Sequence, residues 1–159
     1  MKENIHALLI RSRQEPIDPL RLALEKQSLS VITARSCAEA ALGIWSSCPP
    51  HLVFTDLQLA DGNWSDVLTL AGKASQPVNV IVVAPFADVG LYLEVIDRGG
   101  FDFIVPPLTD PEMHHVVRNA AENSLTRRRK LTMILPPSPL VAAALPVNLM
   151  SETPLAAED

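Results

Sequence analysis

Short apolar runs recur along the first two-thirds of the chain, and segments of mixed polar and apolar residues separate them. Each run has the length of a β-strand and begins about 20 to 28 residues after the previous one. Such spacing leaves room for one helix between consecutive strands, which favours a repeated βα unit. The runs are ALLI (7–10), SVIT (30–33), LVFT (52–55), VIVV (80–83) and FIV (103–105).

The segments between these runs carry the start and stop signals of helices. Ser, Thr, Asp and Asn are favoured at the N-cap because their side chains accept hydrogen bonds from the first turn, and glycine is favoured just past the C-terminus. Five helices are predicted on this basis. Their N-terminal signals are Asp18-Pro19, Ser36 with Glu39, Asn63, Asp88, and Thr109 with Glu112, and Gly99-Gly100 closes the fourth helix.

Strands that are apolar along nearly their whole length are typical of a parallel sheet that is covered on both faces. The strands alternate with amphipathic helices, and right-handed crossovers place those helices on the two faces. The pattern therefore predicts an α/β protein with a doubly wound parallel sheet of five strands.

The composition changes after Lys130. Residues 131–159 contain five prolines, no glycine, no aromatic residue and no helical stripe of useful length. We therefore expect one domain over residues 1–130, followed by a Pro-rich, extended and disordered tail over 131–159. The alternative is that the apolar stretch VAAAL (141–145) docks on a partner or on the domain itself.

Composition and charge narrow the class of partner. The chain has 159 residues, 48% of them hydrophobic, and a formal net charge of −5, which favours neither nucleic acid nor an anionic membrane. The basic run 127–130 closes the fifth helix, where the helix dipole favours cations, so we predict no direct contact with nucleic acid. No apolar stretch approaches the roughly 20 residues that span a bilayer. We expect a cytoplasmic protein.

Candidate functional residues follow from the topology. In an open α/β sheet, ligands bind beyond the carboxyl ends of the strands, at the point where the strand order reverses. The residues that follow the predicted strands are therefore the first candidates. They are Arg11 and Ser12 after the first strand, Asp56 after the third, Ala84 after the fourth and Pro106 after the fifth.

Residues 4 to about 128 resemble the receiver domain of bacterial two-component response regulators. The resemblance is carried by the fivefold βα alternation, the stretch TDLQLADG after the third strand, the EAAL helix, and VPPL followed by Thr109-Asp110. It implies a flavodoxin-like (βα)5 fold with strand order 2-1-3-4-5. It also places Asp56 at the phosphoacceptor position and Phe103 at the position of the aromatic switch residue.

The resemblance further implies a pocket that this chain lacks in part. In the family, two acids bind a magnesium ion, and the matching positions here hold Arg11 and Ser12. The family also has a hydroxyl after the fourth strand and a lysine after the fifth, where this chain has Ala84 and Pro106. Magnesium prefers several carboxylate or other oxygen ligands, so we predict no metal and no cofactor. We expect the carboxylate of Asp56 to pair with Arg11, whose guanidinium keeps its charge.

The sequence thus predicts an atypical receiver, a pseudo-receiver without enzymatic activity, that binds a protein partner independently of phosphorylation. One alternative is a phosphorylatable receiver that accepts a phosphoryl group on Asp56 from a histidine kinase, with Mg²⁺ as cofactor. A further alternative is a structural domain that dimerises through the face formed by the fourth helix, fifth strand and fifth helix.

Overall fold

The structure is a computed structural model that describes residues 3–13 and 18–134. The chain divides into two compact units, Met1–Arg128 and Arg129–Asp159. The first unit contains the sheet and most of the helical structure. Of the second, residues 129–134 are described, and they form the end of a long helix.

Five parallel strands form one sheet, and the predicted fold and strand order are confirmed. The spatial order is β2-β1-β3-β6-β7, which is 2-1-3-4-5 when the sheet strands alone are counted. A short antiparallel hairpin of β4 and β5, which the sequence did not predict, follows β3. The strands are β1 (His6–Ile10), β2 (Ser30–Ala34), β3 (Leu52–Asp56), β4 (Gln58–Leu59), β5 (Gly62–Asn63), β6 (Asn79–Val83) and β7 (Asp102–Ile104).

The described residues form five helices, of which four connect strands and the last follows β7, and their N-termini lie where the capping signals predict. Thr109 and Glu112 exchange hydrogen bonds across the first turn of the last helix. Ser36 accepts from the N–H of Glu39, whereas the carboxylate of Glu39 accepts from the N–H of Arg35. The helices are α1 (Pro19–Glu25), α2 (Cys37–Ile44), α3 (Trp64–Gly72), α4 (Val89–Asp97) and α5 (Asp110–Ile134).

Alternating strand residues supply two buried layers, one on each face of the sheet. Leu9 and Phe54 pack beneath α1 and α5, while Leu8 and Val53 pack beneath α2 and α3. A smaller cluster around Trp64 joins α3 to α4. With both faces covered by helices, the carboxyl edge of the sheet remains accessible to a ligand or partner.

Two arginines of the basic run fix α5 against the opposite edge of the sheet. Arg128 donates hydrogen bonds to the carbonyls of Pro49, Pro50 and Pro77. Arg127 donates to the side chain of Asn79, which is buried at the start of β6. These two side chains therefore have a structural role.

The end of α5 corrects the predicted tail. The helix continues through Ile134, so residues 131–134 are helical instead of extended. Leu131 and Met133 favour helix, and the first proline that breaks the pattern is Pro136. Residues 135–159 lie outside the described residues, and the expectation for them remains a prediction.

Among the described residues, no helix is long and apolar enough to cross a membrane.

Candidate functional site

The carboxyl ends of the strands enclose a cleft of about 700 Å³. The sequence-predicted positions after β1, β3, β6 and β7 all line it, because the ends of parallel strands meet at one edge of the sheet. The cleft is lined by Arg11, Ser12, Arg13, Asp56, Leu57, Gln58, Val83, Ala84, Pro85 and Pro106.

Both carboxylate oxygens of Asp56 have partners within the protein. Oδ2 accepts hydrogen bonds from the backbone N–H of Ser12 at 2.8 Å and from its hydroxyl at 3.2 Å. Oδ1 lies 3.4 Å from Nη1 of Arg11, which confirms the expected ion pair. The Asp56 side chain is only 20% exposed. The residues that follow β1 therefore hold the carboxylate from both sides.

The guanidinium of Arg11 lies between two carboxylates. Its Nε is 3.5 Å from Oδ2 of Asp18, and its Nη1 faces Asp56. The other oxygen of Asp18 accepts from the N–H of Leu20 and so caps α1. Sequence reasoning identified Asp18 as a helix start and missed its second contact. The available signal was that α1 begins at the edge of the sheet where β1 ends.

The residues of the cleft do not fit a magnesium ion. Magnesium requires near-octahedral oxygen coordination, usually from one or two carboxylates, substrate phosphates and several waters. Here a permanently charged guanidinium lies within 3.5 Å of both Asp18 and Asp56, so a divalent cation between them would be repelled by Arg11. Among the described residues, no group of three or more His, Cys, Asp or Glu is arranged to hold a metal ion.

The ends of β6 and β7 contribute apolar groups to the cleft. Ala84 is buried at the edge of the cleft, and its backbone N–H donates to the carbonyl of Ile104 at 2.9 Å. Pro106 has no N–H and precedes Pro107 in a cis peptide bond. Neither residue supplies a hydroxyl or an amine to the carboxylate of Asp56.

Phe103 lies outside the set of residues that line the cleft. It is half-buried on β7 and meets Tyr92 of α4 edge to face, with ring centroids 6.1 Å apart. It also packs against the cluster formed by Trp64, Val82 and Val95. Its assignment as the aromatic switch residue remains a prediction.

The acid of the β4–β5 hairpin, Asp61, serves a neighbouring helix. Its two carboxylate oxygens accept from the N–H groups of Cys37 and Ala38 at 2.7 and 3.0 Å, at the start of α2. These hydrogen bonds hold the pKa of Asp61 below its usual value. Burial and the nearby carboxylates raise the pKa of the Cys37 thiol to about 11. We therefore assign Asp61 a structural role as a cap.

Comparison with known proteins identifies the fold. No family model matches the chain. The chain is 26% identical over 118 residues to the photosynthetic apparatus regulatory protein RegA of Cereibacter sphaeroides, a match that covers 74% of this chain and 64% of RegA. The chain therefore spans less than two-thirds of the length of that relative.

Solved structures give the same picture at lower identity. The signal receiver domain of a putative LuxO repressor protein from Vibrio parahaemolyticus matches with a TM-score of 0.66 and 20% identity, over 78% of this chain and 95% of that domain. NtrX from Brucella abortus matches with a TM-score of 0.72 and 21% identity, over 92% of this chain and 33% of NtrX. The chain has the fold of a response regulator receiver domain, which confirms the predicted resemblance at the level of the fold.

Proposed function

We propose that this domain is an atypical receiver that acts as a protein interaction module independently of phosphorylation. The observation that carries the proposal is the engagement of Asp56, whose oxygens contact Arg11 on one side and Ser12 on the other. A cytoplasmic location is part of the same proposal.

The chemistry of phosphoryl transfer supports this function. An aspartate attacks a phosphoryl group only when cationic groups neutralise the charge on the transferred oxygens, and a metal ion normally does most of this. Arg11 is the one cation paired with Asp56 among the described residues, and it also faces Asp18. Its charge is therefore shared between two carboxylates before any substrate arrives.

The outer face of α4 supports a role in protein interaction. Large apolar side chains recur there at helical spacing, and Val89 and Leu93 are 75% and 60% exposed. An exposed apolar stripe of this kind marks a contact surface more often than a solvated face. Its members on the helix are Val89, Tyr92, Leu93 and Ile96, and the exposed Phe86, which lies just before α4, extends it. We propose this α4 stripe as the partner surface, with a second copy of the chain as one occupant.

The phosphorylatable alternative has one observation in its favour. Asp56 ends β3 at the carboxyl edge of the sheet, inside the cleft, where an approaching phosphodonor could reach it. Under this alternative a histidine kinase supplies the phosphoryl group.

Mass spectrometry of the intact chain distinguishes the phosphorylation-independent function from the phosphorylatable alternative. The domain is incubated with acetyl phosphate and magnesium, with a receiver that is known to be phosphorylated treated in parallel. We expect no phosphoryl adduct on this chain under conditions that label the control fully. An adduct that maps to Asp56 and disappears in Asp56→Asn would contradict the proposal.

A further inference from the structure

The cleft combines a charged side and an apolar side. Arg11 and Arg13 follow β1, whereas Ala84, Pro85 and Pro106 follow β6 and β7. Asp56 lies between them, because β3 separates β1 from β6 in the sheet. The two kinds of surface therefore face one another across the end of β3.

The size and place of the cleft suit a small molecule. Its volume of about 700 Å³ falls within the range of roughly 300–1,000 Å³ that is usual for such sites. It lies where the strand order reverses, which is the common ligand position in open α/β sheets. Pro85, which is exposed, and Pro106, which is half-buried, give it an apolar surface that phosphoryl chemistry does not use.

The guanidinium groups offer unused donors. Arg11 makes two ion pairs, at 3.4 and 3.5 Å, through Nη1 and Nε, and none of its side-chain nitrogens makes a hydrogen bond to a described residue. Because Nη1 is buried, Nη2 is the donor that Arg11 can offer to a ligand. Arg13 is exposed and forms no ion pair with the part of the chain that the structure describes. A guanidinium binds a carboxylate or a phosphate through two parallel N–H donors. The prolines opposite, Pro85 and Pro106, favour a ligand that joins one carboxylate to an apolar body.

We propose that the cleft binds a small monocarboxylic acid with an aromatic or branched apolar body. Its carboxylate contacts Arg13 and the outer edge of Arg11, and its body packs on Pro85 and Pro106. Asp56 stays paired with Arg11 and Ser12, so the ligand's charge is met mainly by Arg13. This inference rests on the proposed function, since a phosphoryl group on Asp56 would occupy the same cleft and would compete with the ligand for the two guanidinium groups.

Benzoate is the probe for the test, in an NMR titration of the amide-labelled full chain. A nine-atom ligand with one charged anchor is expected to bind with a Kd of about 1 mM. We expect saturable shifts at residues 56–58 and 84. Acetate lacks the apolar body and benzyl alcohol lacks the charge, so each should bind at least about fivefold more weakly. The absence of saturable benzoate shifts up to about 20 mM, or equal binding of acetate, would overturn the proposal.

A matched pair of variants tests the anchor. Arg13→Gln should weaken benzoate at least about fivefold because it removes the charge-assisted hydrogen bonds, while Arg21→Gln on α1 should leave the affinity unchanged. Unchanged affinity in Arg13→Gln contradicts the inference.

A titration with beryllofluoride distinguishes a failure of the ligand site from a failure of the proposed function. If neither benzoate nor beryllofluoride produces amide shifts, this inference is wrong and the proposed function stands. If beryllofluoride does produce amide shifts, the proposed function itself is contradicted.

Discussion

At the scale of single residues, the ion pairs of Arg11 stabilise the charged side of the cleft. Its partly buried side chain compensates two carboxylates, and removal of one partner of such an ion pair costs more than the pair contributes. We expect Arg11→Ala to lower the free energy of unfolding by about 1–2 kcal/mol, measured by urea denaturation. Arg13→Ala is the control and should change it by less than about 0.5 kcal/mol. Equal effects of the two substitutions would show that the ion pairs do not contribute.

The site was predictable in part from residue positions alone. Arg11, Ser12, Asp56, Ala84 and Pro106 follow parallel strands, and the ends of such strands converge, so their shared cleft was foreseen. The second contact of Arg11, with Asp18, was not. It depends on the direction of a long, flexible arginine side chain, which the order of residues along the chain does not specify.

At the scale of elements, a histidine joins β1 to the start of β3. His51 accepts a hydrogen bond from the backbone N–H of His6 through Nδ1 at 3.1 Å, and the two rings stack. Burial, together with the charges of Arg128 and His6, lowers the pKa of His51 from 6.5 to about 4. The imidazole is therefore neutral in the folded protein at neutral pH, which keeps Nδ1 available as an acceptor.

This lowered pKa predicts a loss of stability in mild acid. Between pH 6.5 and about 4 the unfolded chain binds a proton at His51 that the folded chain does not, so the free energy of unfolding falls as the pH drops through that window. His51→Asn keeps an acceptor for His6 and does not titrate. Urea unfolding as a function of pH should show a shallower slope for this variant, and identical slopes would contradict the assignment.

The elements themselves were more predictable than their boundaries. All five sheet strands and five helices were foreseen, because the apolar period and the capping residues agree along those segments. The β4–β5 hairpin was not foreseen, since its strands have two residues each and carry no periodic signal. The continuation of α5 through Ile134 was not predicted, because the prolines that begin at Pro136 break a helix whereas the residues just before them favour one.

At the scale of the whole molecule, the α4 stripe should govern association. We expect the chain to self-associate weakly and Leu93→Glu to shift it toward the monomer, because a buried charge would face an apolar partner. Leu22→Glu on α1 is the matched control, since Leu22 is also an exposed leucine. Sedimentation velocity over a range of concentrations gives the measurement. Equal effects of both variants would show that the stripe is not the interface.

The central claim is that the domain does not respond to phosphorylation at Asp56. The most direct measurement compares amide NMR spectra of the labelled chain with and without beryllofluoride and magnesium, which mimic a phosphoryl group on aspartate. Ala84 has no hydroxyl to move toward such a group, and Arg11 and Ser12 already contact the carboxylate. The account predicts unchanged spectra across residues 84–120, including Phe103. Shifts that spread from Asp56 through these residues would contradict it.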